Sequence, residues 1–226
     1  MVLDSKRDKV EFIMLPTAKR LSRFNPNTIS WASFVMAWAA GLLVFFSPLS
    51  WELLLPLSAV AVLVSGFLDA VDGKVARITG RASKRGDLLD HILDRYSDVV
   101  MIGAVAVSAW CNPYIGIMAI IGVLLTSYMG TQSQAVGAGR LYAGLLGRAD
   151  RVVLLTAAPI VQAFFMVIFT GSAPPGGAVM SLTSGWIDLG FGIYLSVFEI
   201  VMLWFAVVGN ITAVQRAVAI WKKVTD

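Results

Sequence analysis

Four carboxylates stand at helical spacing in Asp69-Ala-Val-Asp72-Gly73-Lys-Val-Ala76-Arg77 and, eight residues later, in Gly86-Asp-Leu-Leu-Asp90-His-Ile-Leu-Asp94. Asp69 and Asp72 are three residues apart and share one face of a helix, and Asp90 and Asp94, four apart, share one face of the next. Oxygen ligands of this kind suit hard divalent cations such as Mg²⁺ or Mn²⁺. Two helices with two carboxylates each therefore predict a site for two metal ions that promotes phosphoryl chemistry.

The sequence around this stretch is typical of a polytopic membrane protein. Hydrophobic residues make up 58% of the chain and charged residues 14%, and a spanning helix needs roughly 20 apolar residues. We predict an all-α fold with six transmembrane helices, in one domain of residues 1–226 made of an interfacial segment (1–28) and a six-helix bundle (29–226). The predicted spans are Ile29–Ser47, Leu53–Asp69 continuing towards Arg77, Leu88–Trp110, Tyr114–Gln134, Val152–Thr170 and Leu189–Ile211 continuing towards Trp221.

The carboxylates fall at the inner ends of the second and third predicted spans. A pair of helix ends with solvated charges would also explain acidic residues at such places. The metal site is favoured because charges that interrupt membrane-length apolar segments are costly and usually functional.

The first 28 residues predict an amphipathic helix that lies on the inner leaflet of the membrane. They lack the short apolar run and small-residue cleavage site of a secretory signal peptide. Apolar residues alternate with basic ones at helical spacing, namely Val10, Ile13, Met14, Leu21 and Phe24 against Lys9, Lys19, Arg20 and Arg23.

The basic residues predict the orientation in the cell membrane. With six spans and both termini on one side, all eighteen Lys and Arg residues belong to inner segments, and the outer loops around 48–52, 111–113 and 171–188 carry none. The positive-inside rule then predicts cytoplasmic termini and a cytoplasmic active site. Because the basic residues are scattered among apolar spans and form no continuous patch, the pattern argues against nucleic-acid binding.

The quoted stretch resembles the signature of the CDP-alcohol phosphotransferase family, D-x2-D-G-x2-A-R-x8-G-x3-D-x3-D, and meets it at every fixed position. The resemblance implies a membrane enzyme that moves a lipid phosphoryl group from a CDP-linked lipid to an alcohol hydroxyl and releases CMP. It implies that the first three aspartates, Asp69, Asp72 and Asp90, hold the metal ions and that Asp94 is a metal-linked base. It also suggests a homodimer.

The residues themselves agree with this division of roles. Asp94 follows Asp90 by one helical turn and is placed to accept the proton of the acceptor hydroxyl, as a general base must; its spacing also permits metal binding. Two further side chains near it have simpler explanations. His91 points away from the Asp90/Asp94 face and is expected to pack or hydrogen-bond, and Asp98 either supports the site or pairs with a cation.

Small and basic residues beside the aspartates are candidates for binding the CDP-lipid. Gly73 and Ala76 lack bulk beside Asp72, and Gly86 lacks it at the start of the third span, so a nucleotide and its phosphates can approach the helices. Arg77 can make charge-assisted contacts to phosphate. Asn27 stands where the family begins its first span and is a candidate nucleotide contact, although a helix cap explains this segment equally well.

The acceptor is less clearly indicated. Arg148 and Arg151, three apart at a helix start, are suited to a phosphorylated polyol such as inositol phosphate or glycerol phosphate, but they also fit positive-inside anchoring. Segment 127–134 departs from the relatives that use inositol phosphate, because Gly130 and Gln132 replace charged residues. Gln132 can hydrogen-bond a polyol or join neighbouring helices. An unphosphorylated acceptor such as serine or inositol is the alternative.

A divalent-cation transporter is the alternative from another functional class. It would place polar and charged residues through the depth of several spans, whereas here they gather at the inner ends. That distribution favours chemistry on a cytosolic substrate. The sequence does not distinguish CDP-diacylglycerol from CDP-archaeol as the lipid donor.

Overall fold

A computed structural model describes residues 7–139, 144–168 and 185–224, and most of them are helical. The all-α prediction is therefore confirmed for these residues. The helices are α1 (Arg7–Leu21), α2 (Pro26–Phe46), α3 (Trp51–Ile78), α4 (Lys84–Ala106), α5 (Pro113–Ala135), α6 (Arg148–Ile168) and α7 (Val197–Trp221). A 3-10 turn, Ser47–Leu49, follows α2, and the two-residue strands β1 (Ile187–Asp188) and β2 (Tyr194–Leu195) pair antiparallel before α7.

Within the described residues, five helices are long and apolar enough to cross a membrane: α2 with its 3-10 turn, α3, α5, α6 and α7. The third predicted span corresponds to α4, which is long enough to span but carries charged side chains through its first half. They are Lys84, Arg85, Asp87, Asp90, Asp94, Arg95 and Asp98. The sixth span therefore stays a prediction.

The structure corrects two predicted helix ends. The last span was expected to begin at Leu189, but α7 begins at Val197 with Ser196 as its cap. The positive φ angles of Gly190 and Gly192, 80° and 79°, instead turn the chain between β1 and β2. The third predicted span also ends early, since α4 stops at Ala106. The end of the fifth predicted span, at Thr170, lies outside the described residues.

The helices form one bundle with a shared apolar core. α2 packs against α3 and α4, α3 also contacts α1 and α6, and α7 packs against α5 and α6. A close approach joins α5 to α7, where a Cβ atom on Gly122 would lie 2.8 Å from the carbonyl oxygen of Phe205. Thr126 donates a hydrogen bond of 2.8 Å to the carbonyl of Gly209 at the same crossing. Small residues allow membrane helices to pack this closely.

A hydrogen-bonded network closes the end of the bundle opposite the aspartates. Trp110 donates through Nε1 to the hydroxyl of Ser47 at 2.7 Å, and the carboxylate of Glu199 accepts the backbone N–H of Asn112 at 3.0 Å. Gln162 is fully buried and accepts the N–H of Val197 while donating to the carbonyl of Gly185. Buried polar groups are stable when their hydrogen bonds are satisfied in this way.

At the aspartate end, α1 packs along α3, with Ala18 buried in a cluster that includes Val71 and Val75. The first 28 residues contain the helix α1, whereas its amphipathic character and its location at the membrane surface stay predictions. Asn25 caps α2, its side chain accepting the N–H of Asn27 at 3.0 Å. These contacts position the start of α2 beside the end of α3.

Candidate active site

The end of α3 and the start of α4 bring three of the predicted metal ligands together. One carboxylate oxygen from each of Asp69, Asp72 and Asp90 lies within 4.8 Å of the other two. The tight turn between the helices contains Gly80 at a φ of 64°, and Ser83 then caps α4 by accepting the N–H of Gly86 at 3.1 Å. The spacing within each helix and the turn between them together create the cluster.

The chemistry of this cluster fits a divalent cation. Asp72 is 4% exposed, and its Oδ2 atom has no hydrogen-bond partner among the described residues. A buried carboxylate oxygen without a donor is costly unless a cation compensates it. Three carboxylates that supply only oxygen atoms match the preference of Mg²⁺ and Mn²⁺.

Asp94, the predicted base, lies beside this trio and contacts a different partner. The guanidinium of Arg148, at the start of α6, donates to Asp94 and also forms an ion pair with Asp69. The Arg148 side chain remains 44% exposed. The predicted base and one predicted acceptor residue are therefore in direct contact, a proximity that the sequence did not indicate.

Arg151, one helical turn further along α6, makes a buried ion pair. Its Nη1 atom lies 2.5 Å from Oδ2 of Asp98 and 3.4 Å from the hydroxyl of Ser127. Its Nε atom is buried and has no hydrogen-bond partner among the described residues. Of the two roles predicted for Asp98, pairing with a cation is confirmed.

Arg216 on α7 joins the same region, and sequence analysis missed it. Its side chain is buried and donates to the carbonyl of Thr126 at 2.7 Å, and its charge interacts with those of Arg151 and Arg95. A Cβ atom on Gly130 would lie 3.5 Å from its Nη1. In the sequence, Arg216 looks like any other basic residue near an inner helix end, so no local signal separates it from an anchor.

The residues predicted to contact the CDP-lipid come from the start of α2, the end of α3 and the start of α4. The surface at Gly73 is open, since the nearest side-chain atom to a built Cβ belongs to Arg77, at 3.8 Å. Ala76 is half-buried and Arg77 is exposed. A Cβ atom on Gly86 would lie 3.5 Å from Oδ1 of Asn27. Because Asn25 provides the helix cap, the exposed side chain of Asn27 is left facing the start of α4.

Two other predicted residues lie apart from these contacts. Gln132 is half-buried on α5, and in the part of the chain that the structure describes no hydrogen bond or ion pair joins its side chain to the site. His91 has its Nδ1 atom 2.8 Å from the backbone oxygen of Asp87, the hydrogen-bonding role expected of it.

Known proteins resemble this chain along most of its length. The family model described as CDP-alcohol phosphatidyltransferase matches residues 23–212. The archaetidylinositol phosphate synthase of Aeropyrum pernix is 36% identical over 160 residues, covering 69% of this chain and 78% of that protein. The enzyme of the same name from Pyrococcus horikoshii is 32% identical over 107 residues, 47% of this chain, and the match spans only 57% of its length.

Solved structures share the fold. The phosphatidylinositol phosphate synthase of Mycobacterium tuberculosis with CDP-DAG bound superposes with a TM-score of 0.67 at 22% identity, over 92% of this chain and 94% of that one. The same mycobacterial protein, in complex with manganese and citrate, superposes with a TM-score of 0.67 at 21% identity, over 92% and 88% of the two chains. At this identity, the likeness concerns the fold alone.

The cation site can be tested by direct binding of Mn²⁺ to the purified protein, measured by calorimetry or electron paramagnetic resonance. Replacing Asp72 by Asn removes the buried charge at the centre of the trio and should weaken Mn²⁺ binding by more than about tenfold, since even outer-shell partners of metal ligands contribute 10–100-fold. Asp87→Asn changes an exposed carboxylate in the first turn of α4, the helix that carries Asp90, and should leave Mn²⁺ binding intact. Equal affinities in wild type and Asp72→Asn would contradict the assignment.

Proposed function

Because the chain belongs to the CDP-alcohol phosphatidyltransferase family, we propose that it transfers a lipid phosphoryl group from a CDP-linked lipid to the hydroxyl of a small alcohol and releases CMP. The observation that carries this proposal is the convergence of Asp69, Asp72 and Asp90 beside Asp94. The lipid is CDP-diacylglycerol or CDP-archaeol, and the protein is an integral membrane transferase of phospholipid biosynthesis.

In the proposed reaction, the acceptor hydroxyl oxygen attacks the lipid-side phosphorus of the pyrophosphate. The new P–O bond forms as the bond to the CMP oxygen breaks, CMP leaves with the bonding electrons, and the hydroxyl proton passes to the carboxylate of Asp94. Asp94 is suited to this role because it lies beside the trio without belonging to it.

Asp69, Asp72 and Asp90 would hold the divalent ions, with Asp94 as a further ligand of the predicted pair of Mg²⁺ or Mn²⁺ ions. The bound cations would neutralise the negative charge that develops on the leaving CMP. The buried Oδ2 of Asp72, which has no hydrogen-bond partner among the described residues, supports this ligand set. The mycobacterial structure with manganese supports the choice of metal.

On the donor side, the open surface at Gly73 and Ala76 leaves space for the nucleotide next to the trio. Arg77 is exposed and free to approach a phosphate, and guanidinium–phosphate contacts are charge-assisted and bidentate. Asn27 and Gly86 approach each other across the starts of α2 and α4. We assign these five residues to the CDP-lipid.

On the acceptor side, three arginines favour a phosphorylated polyol. Arg148 and Arg151 come from the first turn of α6, and Arg216 adds a buried charge from α7. A group of guanidinium charges at one end of the bundle raises the local potential and favours an anionic ligand. The names of the Aeropyrum and Pyrococcus relatives, synthases of an inositol phosphate lipid, support inositol phosphate over glycerol phosphate. Gln132 is assigned, more distantly, to the polyol hydroxyls.

For the membrane arrangement, we propose that α4 is the sixth span and that its charged first half lies at the cytoplasmic surface. There its charges would face the other inner helix ends instead of lipid tails. Segment 1–28 would lie on the inner leaflet, residues 29–226 would form the bundle of a single domain, and both termini and the active site would be cytoplasmic. The resemblance to the family supports a homodimer.

The transporter alternative lacks support from the described residues. The clustered carboxylates gather at one end of the bundle, whereas the opposite end is closed by the Trp110, Gln162 and Glu199 hydrogen bonds. A transport path would need polar groups in between.

The acceptor assignment is tested by CMP release from CDP-lipid with a panel of alcohols. We expect inositol phosphate or glycerol phosphate to support CMP release in the presence of Mg²⁺ or Mn²⁺, and chelation to stop it. Free inositol and serine serve as matched acceptors without phosphate. Efficient release with serine or inositol, and none with the phosphorylated polyols, would replace the proposed acceptor by an unphosphorylated one.

The role of Asp94 is tested by separating turnover from binding. Asp94→Asn removes the proton acceptor and should lower kcat by ~10²–10⁴-fold, the usual contribution of a general base. Binding of CDP-lipid should change far less than in Asp72→Asn, because the trio keeps its three charges. Near-normal turnover of purified Asp94→Asn would refute the assignment.

A further inference from the structure

We propose that Asp98 is a positioning residue that holds Arg151 in place to bind the acceptor phosphate. The inference rests on the proposed function, because it assumes that Arg151 recognises the acceptor. Asp98 lies one helical turn beyond Asp94 on α4, so the two carboxylates share a face. It falls outside the trio of Asp69, Asp72 and Asp90 and contacts arginines instead.

The contacts of Asp98 hold one edge of the Arg151 guanidinium. Oδ2 of Asp98 lies 2.5 Å from Nη1 of Arg151 and 3.7 Å from Nη1 of Arg95. The side chains of Asp98 and Arg151 are 11% and 7% exposed. Because neither charge is well solvated, each needs the other, and removing one partner leaves a buried charge uncompensated.

Asp98 leaves part of the hydrogen-bonding capacity of Arg151 unused. A guanidinium has five N–H donors in a fixed planar arrangement. The described contacts, to Asp98 and Ser127, both use Nη1, and Nε has no partner in the described part of the chain. Asp98 therefore fixes the orientation of Arg151 while other donors stay available to an oxyanion.

The charges around Asp98 keep this region positive. Arg95, Arg151 and Arg216 interact electrostatically with one another, and Asp98 is the carboxylate that contacts two of them. Asp94 also interacts electrostatically with Arg95, but among the described residues the carboxylate in contact with Arg151 is that of Asp98. Asp98 therefore orders Arg151, while the three guanidinium groups still outnumber these two carboxylates. Without Asp98, the buried Arg151 would lose its carboxylate partner.

The two arginines of α6 are consequently held in different ways. Arg148 contacts Asp69 and Asp94, which are themselves assigned to the metal ions and the proton. Arg151 contacts Asp98, for which the proposed reaction has no other use. We infer that Asp98 acts on the acceptor through Arg151 alone.

The test compares Asp98→Asn, Arg151→Ala and the double variant in the full-length protein, with steady-state CMP release as the readout. Asp98→Asn should raise the KM for the phosphorylated acceptor about ten- to a hundredfold, as expected for a weakened hydrogen bond to a charged group. The KM for CDP-lipid and the kcat at saturating acceptor should stay within about twofold of wild type. Asp87→Asn is the matched control and should change neither KM nor kcat.

The double variant separates positioning from an independent role. If Asp98 acts through Arg151, adding Asp98→Asn to Arg151→Ala should leave the acceptor KM at the value of Arg151→Ala alone. If Asp98→Asn raises the acceptor KM in the Arg151→Ala background by a factor similar to its effect in the wild-type background, the proposal is overturned. Should Asp98→Asn alone fail to fold, the comparison of Arg151→Ala with the double variant still decides. Neither of these variants contains Arg151 without its partner, and in Arg151→Ala the carboxylate of Asp98 keeps Arg95, 3.7 Å away in the wild type.

Failure of the inference is distinguishable from failure of the proposed function. If Arg151→Ala raises the acceptor KM but Asp98→Asn does not, Asp98 is not the positioning residue, and the acceptor site stands. If Arg151→Ala leaves the acceptor KM unchanged, the phosphate site itself is wrong, and the positioning role is overturned with it.

Discussion

Mutual repulsion among three carboxylates is the constraint on which the rest of this structure depends. Asp69, Asp72 and Asp90 bring oxygen atoms within 4.8 Å of one another at the end of an apolar helix bundle, where charge is poorly solvated. Such a cluster is stable only if positive charge compensates it. Arg148 supplies part of that positive charge by its ion pair with Asp69. Oδ2 of Asp72, without a hydrogen-bond partner in the described part of the chain, is suited to a metal ion. The turn that joins α3 to α4 therefore serves both the fold and the chemistry.

In the proposed reaction, the same end of the bundle binds two substrates at surfaces of different charge. The open surface at Gly73 adjoins Asp72 of the acidic trio, and the arginines come from α6 and α7. Asp94 and Arg148 meet at the boundary between them. In the proposed reaction, this boundary is where the acceptor hydroxyl approaches the lipid-side phosphorus, so the carboxylate that takes the proton and the cations that attract the acceptor are neighbours.

The sequence predicts those features of the site that arise from residue spacing within one helix, but not those that arise from the packing of distant helices. The spacing of Asp69 with Asp72 and of Asp90 with Asp94 fixes which carboxylates share a helix face, and the family signature joins the two helices into one site. The contacts of Arg148 with Asp94 and of Arg151 with Asp98 depend on where the packing of α6 against α3 and α7 places the start of α6, and no local pattern reveals this.

Two other features of the structure were not predicted from the sequence. Arg216 resembles an ordinary anchoring residue in the sequence because its burial arises only when α7 packs against α5. The start of the last span was misplaced because Leu189 and its neighbours are apolar enough for a helix, while Gly190 and Gly192 adopt backbone angles that end one.

The attack at the lipid-side phosphorus is the central claim, and isotope transfer tests it most directly. The acceptor alcohol carries ¹⁸O in its reacting hydroxyl, and mass spectrometry follows the label after turnover with CDP-lipid and Mn²⁺. The account predicts that ¹⁸O bridges the acceptor and the phosphorus of the lipid product, and that the released CMP is unlabelled. Label in a cytidylyl ester of the acceptor, formed with release of the lipid phosphate, would contradict it, as would CMP release at the same rate without acceptor.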